Sequence, residues 1–325
     1  MKYLIIYHKE DNDGIFSGVM FYNYLIHDLN IPANDIYELG ADYNDMKSLA
    51  NTNTPENFHE LYENIILTDI SFPTEFMINL CNEFKERFIW CDHHAPIIKS
   101  VKGYNNLIPG IRNTKKSAIL CAYELLYDPF NLQYKNQELP ELLRILSAWD
   151  SFTFEQEGYE LDYVRDVNKG ITVKWDLNFK KISDLLYELI YENKPSIDIQ
   201  NYAYDFGHNI NKYDDDKFEK IILTAGDKNW KIDENREACA IFHQGPSSSL
   251  MFKILKNTNT VNGIVFKHNP NTSWTISLYN INEDDKSFSC GEYLREKYGG
   301  GGHIGAAGCV ITQDQFIEML KNKKL

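Results

Sequence analysis

Cations are scarce in this chain. Only 33 Lys and Arg stand against 47 Asp and Glu, a formal net charge of −14. The deficit is uneven: residues 1–221 hold 21 cations against 36 anions, whereas residues 222–325 hold 12 against 11. Such an acidic first half repels a long phosphate backbone unless metal ions neutralise it locally. It disfavours a binder of duplex DNA and favours a small anionic substrate. Cysteine is equally thin. The six cysteines (Cys81, Cys91, Cys121, Cys239, Cys290, Cys309) are scattered without CxxC spacing, which speaks against a disulfide framework or a zinc knuckle. Long apolar runs are missing too, and none approaches the ~20 residues that span a bilayer. The opening Met1-Lys2-Tyr3-Leu4-Ile5-Ile6-Tyr7 has no signal-peptide layout and reads as a first strand. A cytosolic protein without a membrane partner is expected. Internal repeats and low-complexity tracts are absent as well.

What is present is alternation. Strands are predicted at Lys2–Tyr7, Asp35–Leu39, Asn64–Thr68 and Arg87–Cys91, and helices at Gly14–Leu29, Pro73–Phe84, Ser117–Tyr127 and Leu139–Trp149. Strand–helix alternation implies a parallel sheet flanked by helices, with ligands at the carboxyl ends of the strands. A charged helical stretch over 182–220 reads as a connector. Beyond it, Ile221–Thr224, Ala238–Phe242, Val261–Phe266 and Trp274–Tyr279 read as strands, with Gly291–Lys297 and Gln313–Leu320 as helices. The expected fold is α/β with two domains and an active site in the cleft between them. A larger parallel domain covers 1–190, a helical connector 191–221 and a smaller α/β domain 222–325.

Chemistry concentrates where strands end. His8-Lys9-Glu10-Asp11-Asn12-Asp13-Gly14 follows the first strand, Asp69 follows Ile65-Ile66-Leu67-Thr68, and Asp92-His93-His94 follows Phe88-Ile89-Trp90-Cys91. Trp149-Asp150 closes a helix. Singly, each aspartate is compatible with a helix N-cap. Together they place carboxylates and imidazoles on one sheet edge, a density of charge that calls for cations. Carboxylate and imidazole donors suit Mn²⁺ or Mg²⁺, with Fe²⁺ or Co²⁺ also acceptable. Two such ions roughly 3.5–4 Å apart would clamp a phosphoryl group between attacking and leaving oxygens.

These clusters resemble the four motifs of the DHH phosphoesterase superfamily. Tyr298-Gly299-Gly300-Gly301-Gly302-His303-Ile304-Gly305-Ala306-Ala307-Gly308 resembles the GGGH signature of its associated C-terminal domain. The pairing is that of nanoRNase/pAp phosphatases, RecJ-like exonucleases and cyclic-di-AMP phosphodiesterases. The resemblance implies two Mn²⁺ ions. His8, Asp11 and Asp69 would hold one, and Asp13, Asp69, His93 and Asp150 the other, with Asp69 bridging. Asp92 would orient an imidazole, and His94 would face the scissile phosphate as donor or general acid. Many relatives space the first His from the first Asp by one residue more, which leaves Glu10 as an alternative ligand to His8.

The substrate side is implied by the same resemblance. Gly301 and Gly302 would turn amides toward an anion, a helix starting there would add its positive end, and His303 would touch a phosphate. Tyr279 stands where many members carry a phosphate-binding arginine, and would stack on a base. Arg112, with Lys115, Lys116 and Ser117, is either a phosphate contact or part of a plain solvated loop. Gln244-Gly245-Pro246-Ser247-Ser248-Ser249 offers hydroxyls or, more simply, a helix cap.

The function implied is Mn²⁺-dependent hydrolysis of short oligonucleotides or small nucleotides by the cytoplasmic protein, with a homodimer as one allowed assembly. RecJ-like exonuclease and cyclic-dinucleotide phosphodiesterase are the alternatives, and pyrophosphatases lack the GGGH domain. A silenced, nucleotide-binding relative would have lost metal ligands, and here all four motifs stand.

Overall fold

A computed structural model describes residues 1–127, 138–242, 260–270, 272–282 and 288–325; of residues 218–225 it describes the helical backbone. The chain divides into two units, Met1–Asn211 and Lys212–Leu325.

The first unit is built on four parallel strands, β1 (Tyr3–His8), β2 (Ile36–Ala41), β3 (Asn64–Thr68) and β4 (Phe88–Cys91), in the order β2-β1-β3-β4. The sequence expectation of strands at these positions agrees to within a residue or two at each end. Side chains alternate between faces, and both faces are covered. Ile5, Tyr7, Ile66 and Cys91 pack into one core with α1 (Asn12–His27), α6 (Ala118–Leu126), α7 (Glu141–Asp150), α8 (Leu161–Trp175) and α9 (Phe179–Ile190). Leu4, Ile6, Ile65, Leu67, Phe88 and Trp90 pack into another with Met46 of α2 (Tyr43–Thr52), Phe58 of α3 (Pro55–Leu61) and Phe76, Met77, Leu80 and Phe84 of α4 (Thr74–Phe84). Burial on two sides is why the strands read as unbroken apolar runs. A short α5 (Ala95–Ser100) follows the third acidic cluster.

The outer edge of β4 is not left bare. Trp90 N–H donates to Pro109 O (2.9 Å), Asp92 N–H to Ile111 O (3.2 Å) and Asn113 N–H to Asp92 O (3.1 Å). The segment 109–113 thus lies along β4 as a cover for its free backbone. α8 and α10 (Ile197–Ala225) cross at glycine. A Cβ on Gly170 would fall 1.9 Å from Ala203 O, and one on Gly207 1.8 Å from Asp166 O. Only hydrogen fits there. Gly207→Ala is expected to force the helices apart at a cost of about 2–3 kcal/mol, lowering Tm by roughly 5–10 °C. A calorimetric scan showing no drop would refute this close crossing.

In the second unit a mixed sheet runs β5-β6-β7-β8-β10-β9, from β5 (Asp227–Asp233), β6 (Arg236–Phe242), β7 (Asn262–His268), β8 (Trp274–Asn280), β9 (Gly301–Gly302) and β10 (Ala306–Ile311). Among the described residues, only β6 and β7 of this sheet pair in parallel. Trp230, Ala240, Ile264, Phe266, Ile276 and Leu278 meet Leu294 of α11 (Cys290–Tyr298) and Phe316 and Met319 of α12 (Gln313–Asn322) in its core.

Two expectations are corrected here. Ile221–Thr224, read as a strand, continues the helix α10; a short apolar run carries no period that separates the two. No helix begins at the glycine run either. α11 ends there, with Gly299 at φ +68° as its left-handed cap, so the local helix terminus is the negative one. The strands β5, β9 and β10 were not foreseen. The loop Gln244–Ser249 lies outside the described residues. Among the described residues no helix is long and apolar enough to cross a membrane.

Candidate metal centre

All four acidic clusters of the first unit converge at the carboxyl ends of β1, β3 and β4, where a parallel sheet collects its loops. Asp11 is the N-cap of α1. Its Oδ1 accepts from Gly14 N–H (2.9 Å) while Oδ2 lies 2.9 Å from His8 Nδ1. Gly14 is dictated by crowding, since a Cβ there would sit 2.3 Å from His8 O. Asp13, one residue inside the helix, is fully buried and gripped by a second helix. Ala118 N–H donates to its Oδ2 (2.7 Å) and Ile119 N–H to its Oδ1 (2.9 Å), both from the first turn of α6. A helix N-terminus is a natural seat for that charge. Ser117 caps the same helix and its hydroxyl reaches Ser147 Oγ (2.9 Å) on α7, the helix that ends in Asp150.

Asp69 follows β3 at φ +59°, an unusual conformation for a residue with a side chain. Its N–H donates to Cys91 O at the end of β4 (3.0 Å). Held this way, its Oδ1 lies 3.3 Å from His93 Nε2 and 3.7 Å from His94 Nδ1, and its Oδ2 3.7 Å from His8 Nδ1. His93 Nε2 also stands 3.2 Å from Asp150 Oδ2 and 3.7 Å from Asp13 Oδ2. Asp92 behaves differently, because its oxygens are occupied by the protein. Oδ1 accepts from the N–H groups of His93 (2.6 Å) and His94 (2.8 Å) and pairs with His94 Nδ1 (2.8 Å), and Oδ2 accepts from the Trp90 indole (3.1 Å). The contact between Nδ1 and Asp92 sets the orientation of the His94 ring.

The electrostatics are those of crowded like charges. Burial, then the charges of Asp11, Asp13, Asp150 and Asp92, push the Asp69 carboxyl well above the carboxylate range. Burial and the Asp13 charge raise Asp150 to about 8 against the pull of His93, and burial likewise raises Asp13. For His93, burial works downward, but Asp150, Asp13, Asp92 and Asp11 outweigh it and the imidazole titrates high. His8 is raised in the same way, burial being overcome by the hydrogen bond and charge of Asp11. Asp92 and Asp11 go the other way: burial is overcome by His94 for the first and by His8 for the second.

The donor set fits divalent metal ions. Donor atoms of His8, Asp11 and Asp69 lie within 4.8 Å of one another, as do those of Asp13, Asp69 and His93, with Asp69 in both groups. Asp69 Oδ1 and Asp150 Oδ2 are buried without a hydrogen bond. Buried acceptors without a hydrogen bond, set beside other carboxylates, are what a cation satisfies. Glu10 points outward, its side chain 64% exposed and Oε2 3.8 Å from His8 Nε2.

The residues expected to meet substrate are placed as follows. Arg112 is engaged by its own loop: Nη1 donates to Trp90 O (2.9 Å) and Pro109 O (3.1 Å), and Nη2 to Asn105 O (2.6 Å) and Ile108 O (2.7 Å). The guanidinium is a strap for the segment beside β4. Lys116 pairs with Glu124 (2.5 Å). In the second unit, Gly301 and Gly302 form β9, and His303 N–H donates to Ala306 O (2.7 Å) while its carbonyl accepts from Gly291 N–H (3.0 Å). Tyr279 projects from the sheet face opposite Ile276 and Leu278 and is 5% exposed. Sequence reasoning overlooked the amides of Ala118 and Ile119, for which Ser117 before an apolar run was a usable cue. It also overlooked Tyr43, whose ring stands against His8 and His94 (centroids 5.7 and 6.1 Å).

Residues 2–148 match the DHH family, N-terminal domain. No curated protein sequence matches the chain. Solved structures do. A pGpG-specific phosphodiesterase, PggH, from Vibrio cholerae aligns at TM-score 0.52 and 14% identity, over 99% of this chain and 97% of that one. An exopolyphosphatase-related protein from Bacteroides fragilis aligns at TM-score 0.53 and 14% identity, over 99% and 91%. The exonuclease RecJ bound to manganese aligns at TM-score 0.52 and 14% identity, over 99% and 89%. At such identity the likeness is one of fold.

Proposed function

The chain is a member of the DHH phosphoesterase superfamily through its N-terminal domain, residues 2–148, and from that premise we propose that it is a Mn²⁺-dependent phosphodiesterase of short oligonucleotides or small nucleotides. The observation that carries this reading is Asp69, a buried carboxylate shared by two donor groups, one of whose oxygens has no hydrogen bond. His8, Asp11 and Asp69 would hold one ion, and Asp13, Asp69, His93 and Asp150 the other. When bound, the two ions supply positive charge to the phosphoryl oxygens and lower the pKa of the attacking water.

The rest is the work of side chains. Asp13 is fixed by the α6 amides and so holds its place without rearrangement. Asp92 fixes the His94 ring through Nδ1, and His94 in its protonated form would donate from Nε2 to the phosphate or the leaving oxygen. The acidic first half favours short substrates over long strands. Gly301, Gly302 and His303 of the second unit are assigned to the distal part of the substrate. RecJ, a solved structure of similar fold, carries manganese, which supports the choice of ion, and a cytoplasmic location belongs to the same reading.

The test is a substrate panel. Protein with Mn²⁺ is incubated with RNA and DNA of two to fifteen nucleotides, pAp, linear pApA and cyclic dinucleotides, and the products are resolved. Cleavage concentrated on dinucleotides or pAp is expected, with His303→Ala reducing it. Equal or faster digestion of the longest strands would favour a RecJ-like exonuclease, and tight nucleotide binding without turnover would refute hydrolysis.

A further inference from the structure

Every group so far assigned near the metal centre addresses phosphate, and none addresses a base. Tyr43 differs. It is the first residue of α2, immediately after the carboxyl end of β2, on the same sheet edge as the metal-binding clusters. Its ring is tilted 48° to His8 at 5.7 Å and stands edge-on to His94, 85° between planes at 6.1 Å. It is nevertheless 41% exposed. Of the other exposed aromatics of this unit, Tyr37 pairs with Tyr62, Tyr202 with Phe206 and Phe152 with Trp149, and none of these pairs includes a ring of His8 or His94.

The backbone beneath Tyr43 is held firmly. Asp42 caps α2, accepting from Asn44 and Asp45 N–H (2.8 and 2.9 Å), and Asp45 returns the bond to Asp42 N–H (3.0 Å). Lys9, next to His8, ties both carboxylates from across the edge, at 3.3 Å to Asp42 and 2.5 Å to Asp45. A large ring on a rigid turn loses little conformational freedom on binding, which is the property that makes an aromatic anchor effective.

We propose that Tyr43 is the surface on which the nucleobase next to the scissile phosphate stacks, so that the first unit by itself prefers nucleotides over bare sugar phosphates. The inference rests on the phosphoesterase reading and adds to it a residue that selects for a base. Stacking accepts any base, since each has a π-face. The hydroxyl is not needed for it.

Equilibrium dialysis of AMP and of ribose 5-phosphate against the Mn²⁺-loaded protein tests this without requiring turnover. Wild type should bind AMP the more tightly. Tyr43→Ala should weaken AMP about 10-fold, the size of one lost base–aromatic stack, and leave ribose 5-phosphate unchanged, which also shows the site intact. Tyr43→Phe should keep AMP affinity within about twofold. Equal loss of both ligands, no loss of AMP, or a wild type indifferent to the base would each overturn the proposal. A wild type that prefers AMP yet cleaves nothing in the panel would sink the phosphodiesterase reading alone.

Discussion

Asp69→Asn is expected to abolish phosphodiester hydrolysis, with a fall of at least about 10³-fold in kcat, and at the same time to raise the melting temperature of the metal-free protein. The first effect follows from position. Asp69 joins both donor groups, so its loss removes charge from two cation sites at once, and several kcal/mol of transition-state stabilisation depends on those cations. The second follows from repulsion. Asp69 is buried among Asp11, Asp13, Asp150 and Asp92, whose charges drive its pKa up, and a neutral amide of the same shape relieves that crowding. Asparagine also tolerates positive φ well, so the turn at φ +59° survives. Gain of stability with loss of activity is the signature of a strained functional residue. Turnover by the Asn variant within about tenfold of wild type in Mn²⁺ would contradict the assignment.

Removing the metal should be equally drastic and should expose a pH dependence. In chelator, hydrolysis is expected to stop and to return on adding Mn²⁺. Without cations the folded protein keeps protons that the unfolded chain releases. Asp150 titrates at about 8, Asp69 and Asp13 are raised, and His8 and His93 are raised too, whereas unfolded carboxylates titrate near 4. A raised folded pKa gives stability that is present at low pH and lost as pH climbs through the folded value. Asp11 and Asp92 are lowered, so their effect falls below about pH 4, outside this window. The chelated protein should therefore melt lower at pH 8.5 than at pH 5.5, by roughly 4–8 °C for a difference of about 2 kcal/mol. With Mn²⁺ the trend should flatten or reverse, because ligands bind metal in their deprotonated form. A chelated protein whose Tm is level or rises over this range would refute the cluster of raised groups.

Much of this was legible in the sequence, for reasons that particular residues make plain. Ile65-Ile66-Leu67-Thr68 and Phe88-Ile89-Trp90-Cys91 announce strands because helices cover both their faces, and the acidic residue directly after each is poor material for an apolar core. Asp92-His93-His94 was visible on the same ground. What stayed hidden were features set by partners distant in sequence. Arg112 looks like any loop cation until its carbonyl partners at Trp90, Asn105, Ile108 and Pro109 are known. Asp13 gave no hint that amides more than a hundred residues away would hold it. Local ambiguity accounts for the rest. Asp227–Asp233 carries only Trp230 and Ile232 as core residues among polar ones, and Ala306-Ala307-Gly308 was absorbed into a glycine-rich signature when it is the start of β10. The glycine run was given a helix beginning because glycine-rich turns often precede helices; here Gly299 stops one.

Consider, finally, the four residues of β4. Trp90 lies wholly in the core beside α4, yet its indole N–H supports Asp92, which aims His94. The neighbouring Cys91 lies in the opposite core, and its carbonyl receives the N–H of Asp69. Each layer of the sandwich thus has a mechanical hold on the centre through one residue. Errors of packing, from heat, from mutation or from a mispaired strand, are passed straight to the ligands. For anyone redesigning this protein, the interior under β4 is therefore part of the support of the candidate metal centre.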